Sequence, residues 1–153
     1  MRLTLVCALV LGLLAPVAAP AQECTWQAGW VKAENAKTGE KNWDSDVVMR
    51  FSADFSRRKE AKRVEGYFDQ TSIGCGQSAT LKIVGAKSAD VSLYRIGYYK
   101  GAGARLIQTI KSAKKITATQ STPPGQYLVK LKSPGYRSTF VPLVITGQVP
   151  SDV

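Results

Sequence analysis

The sequence contains no histidine among its 153 residues. That absence excludes a Ser-His-Asp triad and a Cys-His pair, because both need an imidazole as general base. It also removes the commonest metal ligand. Two lone cysteines, Cys24 and Cys75, make a poor zinc set without it. No Gly-x-x-x-x-Gly-Lys-Ser/Thr loop occurs, so the backbone cradle of a phosphate-binding NTPase is missing. Gly97, Gly101 and Gly103 follow a strand-like run. The next segment is strand-like again, and the helix N-terminus that would hold a pyrophosphate is lacking. Acids are scarce: 11 Asp and Glu against 21 Lys and Arg. Glu34, Asp44, Asp46, Asp54, Glu65, Asp69 and Asp90 are of the right type for glycoside hydrolysis, which needs two suitably spaced carboxyls. Nothing in the sequence brings any two together. The chain reads as one without catalytic machinery, cofactor or metal.

What is present begins with an export signal. Met1-Arg2 gives a positive start, Leu3 to Leu14 is almost wholly apolar, and Ala19-Pro20-Ala21 offers small residues at a cleavage spacing. The apolar run is about twelve residues, where spanning a bilayer takes about twenty. Residues 1–21 are therefore expected to be a cleaved secretory signal, and the remainder to be secreted or periplasmic, with no transmembrane segment. Removing Arg2 leaves 20 Lys and Arg against 11 Asp and Glu. Such an excess favours anionic surfaces, or serves solubility alone. Cys7 departs with the signal, leaving Cys24 and Cys75. An even pair in an oxidising compartment predicts a disulfide, with free thiols or an intermolecular bridge as alternatives. Closing a loop of about fifty residues would contribute roughly 4 kcal/mol in the chain-entropy picture.

Beyond the signal the apolar residues recur with a period of two. Strands are expected at Val47–Phe55, Val64–Phe68, Ala79–Val84, Val91–Tyr99, Arg105–Ile110, Lys115–Thr119, Gln126–Lys132 and Phe140–Thr146. In the seventh, Tyr127, Val129 and Leu131 face one way and Leu128, Lys130 and Lys132 the other. Pro142 cannot donate to a ladder, which points to an edge strand or a bulge. Turn residues at Gly74–Gly76, Lys100–Gly103, Pro123–Gly125 and Pro134-Gly135 separate the runs. Seven or eight short strands punctuated in this way predict an all-β, immunoglobulin-like sandwich over residues 22–147, with 148–153 as a tail.

Three groups of residues are candidates for recognition. Residues 56–63 are densely charged and include Arg57 and Arg58. They form either a polyanion-binding tip or a solvated loop. The run lacks aromatics to stack on bases, so nucleic acid is not the expected partner. Trp26, Trp30 and Trp43 either stack on sugars or fill the core. The run from Tyr94 to Arg105, YRIGYYKGAGAR, takes an aromatic strand into a glycine-rich connection. Gly101 and Gly103 there permit positive φ. Arg95, Tyr98, Tyr99 and Arg105 form either a binding platform or a packed core, with the arginines pairing acids such as Glu65 or Asp69.

This run resembles a segment of proteins similar to the N,N-dimethylformamidase large (beta) subunit, where an Arg-hydrophobic-Gly-Tyr/Trp-Tyr-x-Gly-x-Gly-Ala-Arg pattern lies in a sandwich-like region. Further blocks resemble that family in the same order. They are Glu34-Asn35 with Gly39 and Trp43; Glu65-Gly66-Tyr67 with Asp69 and Ser72; Gly76-Gln77-Ser78; Pro124-Gly125-Gln126-Tyr127; and Val141-Pro142-Leu143-Val144. The resemblance covers about residues 33 to 146 and implies the sandwich fold. It does not imply amidase activity or an iron site, because the family's catalytic region has no counterpart in these residues. The sequence thus points to an exported, non-enzymatic binding module whose partner is a protein or a cell-envelope polymer, anionic or glycan in character. The alternative is an accessory subunit of an exported enzyme, such as an amidase, whose catalytic chain is separate.

Overall fold

A computed structural model describes residues 25–47 and 62–148. The export signal, Cys24, residues 48–55 of the expected first strand, and residues 56–61 of the basic run, Arg57 and Arg58 among them, lie outside the described residues.

Eight strands are present among the described residues: β1 (Glu65–Phe68), β2 (Ser72–Ile73), β3 (Ser78–Val84), β4 (Asp90–Ile96), β5 (Ala104–Ile110), β6 (Lys115–Thr117), β7 (Gly125–Lys132) and β8 (Thr139–Ile145). One short helix, α1 (Trp30–Asn35), precedes them. The strands form a three-stranded sheet in the order β1-β3-β6 and a five-stranded sheet in the order β2-β8-β7-β4-β5. All neighbours are antiparallel except β2 and β8.

Alternation builds the core. Ala79 and Leu81 of β3 and Ile116 of β6 point inward. They meet Val91 and Leu93 of β4, Tyr127, Val129 and Leu131 of β7, and Val141, Leu143 and Ile145 of β8 in one buried cluster. A period of two puts one face of each strand against the opposing sheet, which makes the molecule an immunoglobulin-like β-sandwich. The sheets approach closely at Gly66, where an added Cβ would lie 2.8 Å from Leu131 Cδ1.

Pro142 sits in β8 without breaking it. Val144 N–H donates to Thr71 O and Thr146 N–H to Ile73 O, so even-numbered residues of β8 point their N–H toward β2. The β2 pairing begins only at Val144. The N–H that Pro142 lacks would therefore have met the sheet edge.

Besides α1 and β2, which the sequence pattern does not announce, two elements depart from the sequence expectation. β4 ends at Ile96 rather than Tyr99, because Gly97 and Tyr98 leave the strand and Tyr99–Gly101 form a 3-10 turn. The second is a strap, residues 36–47, laid across the outer face of the five-stranded sheet. Trp43 packs on Tyr94 at 5.7 Å and on Phe140 at 5.2 Å between ring centroids. Lys130 Nζ donates to Trp43 O at 2.8 Å and forms an ion pair with Asp46. Tyr94 is on the outward-facing side of β4 yet buried, because this strap covers it.

Candidate functional site

Most of the residues singled out in the Tyr94–Arg105 run gather at one end of the sandwich, around the Glu34 carboxylate. Glu34 lies on α1 and is only 2% exposed. Arg105, on β5, donates to its Oε1 from Nε at 2.8 Å and from Nη2. Tyr99 OH donates to the same oxygen at 3.0 Å, and Lys37 Nζ lies 2.7 Å from Oε2. Burial by itself raises the Glu34 carboxyl. Hydrogen bonds from Lys37, Arg105 and Tyr99 outweigh it and hold the group below its ordinary 4.5.

Arg95 extends this knot. Its Nη1 donates to Tyr99 OH at 2.8 Å and its Nε to Pro124 O at 2.9 Å. The guanidinium lies 5.2 Å from the Trp30 ring centroid, and Trp30 in turn packs on Trp26 at 5.1 Å. A planar cation over an indole face gains cation–π attraction at little desolvation cost. Tyr127 closes the arrangement by donating to Pro123 O. Burial raises the Tyr99 hydroxyl and pushes Tyr94, next to Glu40, up to about 12. Both remain un-ionised donors through the neutral range.

The backbone is shaped to allow the knot. Tyr99 and Lys100 adopt φ of 41° and 56°, in the left-handed region. Each such residue costs about 1 kcal/mol outside glycine. The Tyr99 side chain, 1% exposed and hydrogen-bonded on both sides, holds the turn in place. Gly101 and Gly103 take φ of 86° and 83°, as the sequence leads one to expect.

The candidate residues therefore divide. Arg95 is 6% exposed and, with Tyr99, belongs to the interior. Arg105 is partly buried with its guanidinium committed to Glu34. The acid that Arg105 pairs is Glu34, which Arg95 reaches only through the Tyr99 hydroxyl; Glu65 and Asp69 are exposed on or beside β1, and Asp69 instead accepts from Thr80 N–H at 2.7 Å. Tyr98 alone of the four presents its side chain, at 69% exposure, while its N–H donates to Asn35 Oδ1. Cys75 lies in the turn between β2 and β3. Its expected partner, Cys24, is outside the described residues.

Two surfaces stand out beyond this knot. On the outer face of the five-stranded sheet, beside the strap, a groove of about 480 Å³ is lined by Trp43, Ile96, Leu128, Pro142 and Val144. The outer face of the three-stranded sheet carries Tyr67, Lys82 and Lys115. They are set there by the same alternation that buries Leu81 and Ile116. Sequence reasoning passed over this second face, although the β3 pattern Thr80-Leu81-Lys82-Ile83 already placed Lys82 opposite the core residues. Residues 62–148 hold thirteen Lys and Arg against three Asp and Glu. No group of His, Cys, Asp and Glu suited to a metal occurs among the described residues. No helix there is long and apolar enough to cross a membrane.

No family model and no curated protein matches the chain. Among solved structures it is similar to the N-terminal four Ig domains of Dscam1 isoform 4.44, at 13% identity and a TM-score of 0.38, covering 56% of this chain and 21% of that one. It is also similar to a chimeric titin Z1Z2-Z1Z2 tandem, at 17% identity and a TM-score of 0.32, covering 57% of this chain and 52% of that one. It spans well under two thirds of either. Likeness at this level says nothing of function, and the fold rests on the two sheets themselves.

Proposed function

We propose that this chain is an exported, non-enzymatic sandwich module that binds an anionic or glycan surface of the cell envelope, or a protein there. The observation that carries the reading is how charge is distributed. Carboxylates in a position to do chemistry are instead tied to cations: Glu34 to Arg105 and Lys37, Asp46 to Lys130, Asp90 to Lys111. Hydrogen bonds hold all three below their ordinary range, overcoming burial at Glu34 and Asp46. A general acid needs the opposite shift. Lys87, Lys114 and Lys115, by contrast, form no ion pair among the described residues. Their charge is available to a partner. The export signal and a Cys24–Cys75 bridge belong to the same proposal, since an oxidising compartment favours the bridge.

A second reading, accessory subunit of an exported enzyme, is favoured by one specific observation. Blocks that resemble the dimethylformamidase large subunit are far apart in sequence, yet several converge in space. Asn35 meets Tyr98, and Glu34 meets Tyr99 and Arg105. Gly39 abuts Tyr99 and Ala102, and Gly125 abuts Arg95. Residues that interlock form a unit, as an accessory subunit that docks as one body requires.

Recovery of C-terminally tagged protein from its native envelope fraction separates the readings. Envelope polymer without a stoichiometric protein supports the binding module. A stoichiometric hydrolase supports the accessory subunit and turns attention to exposed Tyr98. A chain recovered with neither would refute both.

A further inference from the structure

We infer that the outer face of the three-stranded sheet is a binding site for an acidic glycan, centred on Tyr67 and Lys82. This rests on the binding-module reading and deepens it. Tyr67 and Lys82 are directly paired across β1 and β3, and Thr80 pairs with Lys115 across β3 and β6. Ala79, Leu81 and Ile116 are buried on the opposite side, so these partners face outward together. Tyr67 is 58% exposed, and no ring or cation–π contact engages it among the described residues. A groove of about 510 Å³ runs from Tyr67 past Thr80 and Lys82 to Lys87, Ser112 and Lys114.

The groove is framed by fixed backbone. Leu81 N–H donates to Lys114 O at 2.8 Å, which ties the β5–β6 connection to β3. Ala113 N–H donates to Ala89 O at 3.2 Å, tying that connection to the β3–β4 turn. Lys111 is spent on Asp90. Three lysines remain along the groove, Lys82, Lys87 and Lys114, and Lys115 stands on the same face opposite Thr80. The acids on this side are Glu65 and Asp69, on or beside β1, and Asp90, which accepts from Ser112 N–H and is paired with Lys111; Asp69 is engaged by Thr80 N–H and feels the charge of Lys82. The lysine side of the groove is left positive.

The chemistry selects the occupant. A single ring flanked by hydroxyls and ammonium groups suits a sugar face, with carboxylate or sulfate substituents meeting the lysines. A nucleic acid tracked along this face would ask for several aromatics on which successive bases stack. Among the described residues, Tyr67 is the one aromatic lining the groove.

Binding of the folded chain to polygalacturonate, measured by affinity electrophoresis, tests the inference, with neutral dextran and single-stranded DNA alongside. Two variants, Tyr67→Ala and Lys82→Glu/Lys114→Glu, change only outward-facing side chains, and a urea midpoint verifies that both fold. The expected result is retardation of wild type by polygalacturonate and not by dextran. Tyr67→Ala should lose about tenfold in affinity, the size of one stacking contact, and the double charge reversal should abolish binding. Equal binding by wild type and both variants overturns this inference and leaves the binding-module reading standing. Tighter binding of DNA than of polygalacturonate overturns the glycan assignment. No binding of wild type to either polymer overturns the inference together with the anionic form of the broader reading.

Discussion

Arg105 Nε donates to Glu34 Oε1 at 2.8 Å and so joins β5 to α1 across 71 positions of the chain. That pair organises the end of the sandwich, because Tyr99 and Lys37 meet the same carboxylate and Arg95 is held by Tyr99. Replacing Glu34 by Gln keeps the shape and removes the charge that these donors surround.

Breaking a buried ion pair by removing one partner costs about 3 kcal/mol. Glu34→Gln should lower the urea midpoint by that order of stability. Lys37 touches the same carboxylate from the surface, at 54% side-chain exposure. Lys37→Ala should cost about 0.5 kcal/mol or less. Equal losses from the two variants would show that burial does not distinguish the contacts.

Acid should destabilise the fold through the same group. Glu34 and Asp46 are both held below their ordinary values of 4.5 and 3.8, because hydrogen bonds outweigh burial. A depressed carboxylate contributes stability that is fully present above its unfolded value and is lost as pH falls through its folded one. Stability should therefore change little from neutral down to about pH 5 on their account and fall below that. Glu34→Gln should flatten the acid limb of a stability–pH curve. An unaltered limb would remove Glu34 from the explanation.

Two glycines test packing against backbone strain. A Cβ on Gly39 would stand 2.5 Å from Ala102 Cβ and 2.7 Å from Ala104 O, between the strap and the turn before β5. Gly39→Ala should destabilise by about 3 kcal/mol, the upper end of an overpacking cost. Gly76 has open space around it but a φ of 76°. Gly76→Ala should cost only the left-handed penalty of about 1 kcal/mol. Chemical denaturation of both variants gives the comparison, and a milder effect at Gly39 would mean that the strap yields.

The strands were legible because burial imposes a period of two that short-range pattern records. β7 is the clearest case, with Tyr127, Val129 and Leu131 inside, and β3 follows it with Ala79 and Leu81. The partner of the arginines was not legible. Glu34, Glu65 and Asp69 are equivalent by residue type, and only the tertiary fold brings α1 over the β4–β5 connection. The strap was hidden for a related reason. Tyr94, Lys130 and Phe140 occupy outward positions that alternation assigns to solvent, and Trp43 covers them from a remote segment. β2 escaped notice because it is two residues long and pairs in parallel with the far end of the chain.

The central claim is that surplus surface cations bind the envelope while the internal charges hold the fold. Its most direct test is retention of the folded chain on isolated envelope fragments as a function of salt. Exposed charges are screened over about 10 Å at 0.1 M salt. Retention should be strong at low ionic strength and fall steadily as salt rises, with the chain remaining folded throughout. Retention that ignores salt, or no retention at low salt, would contradict it.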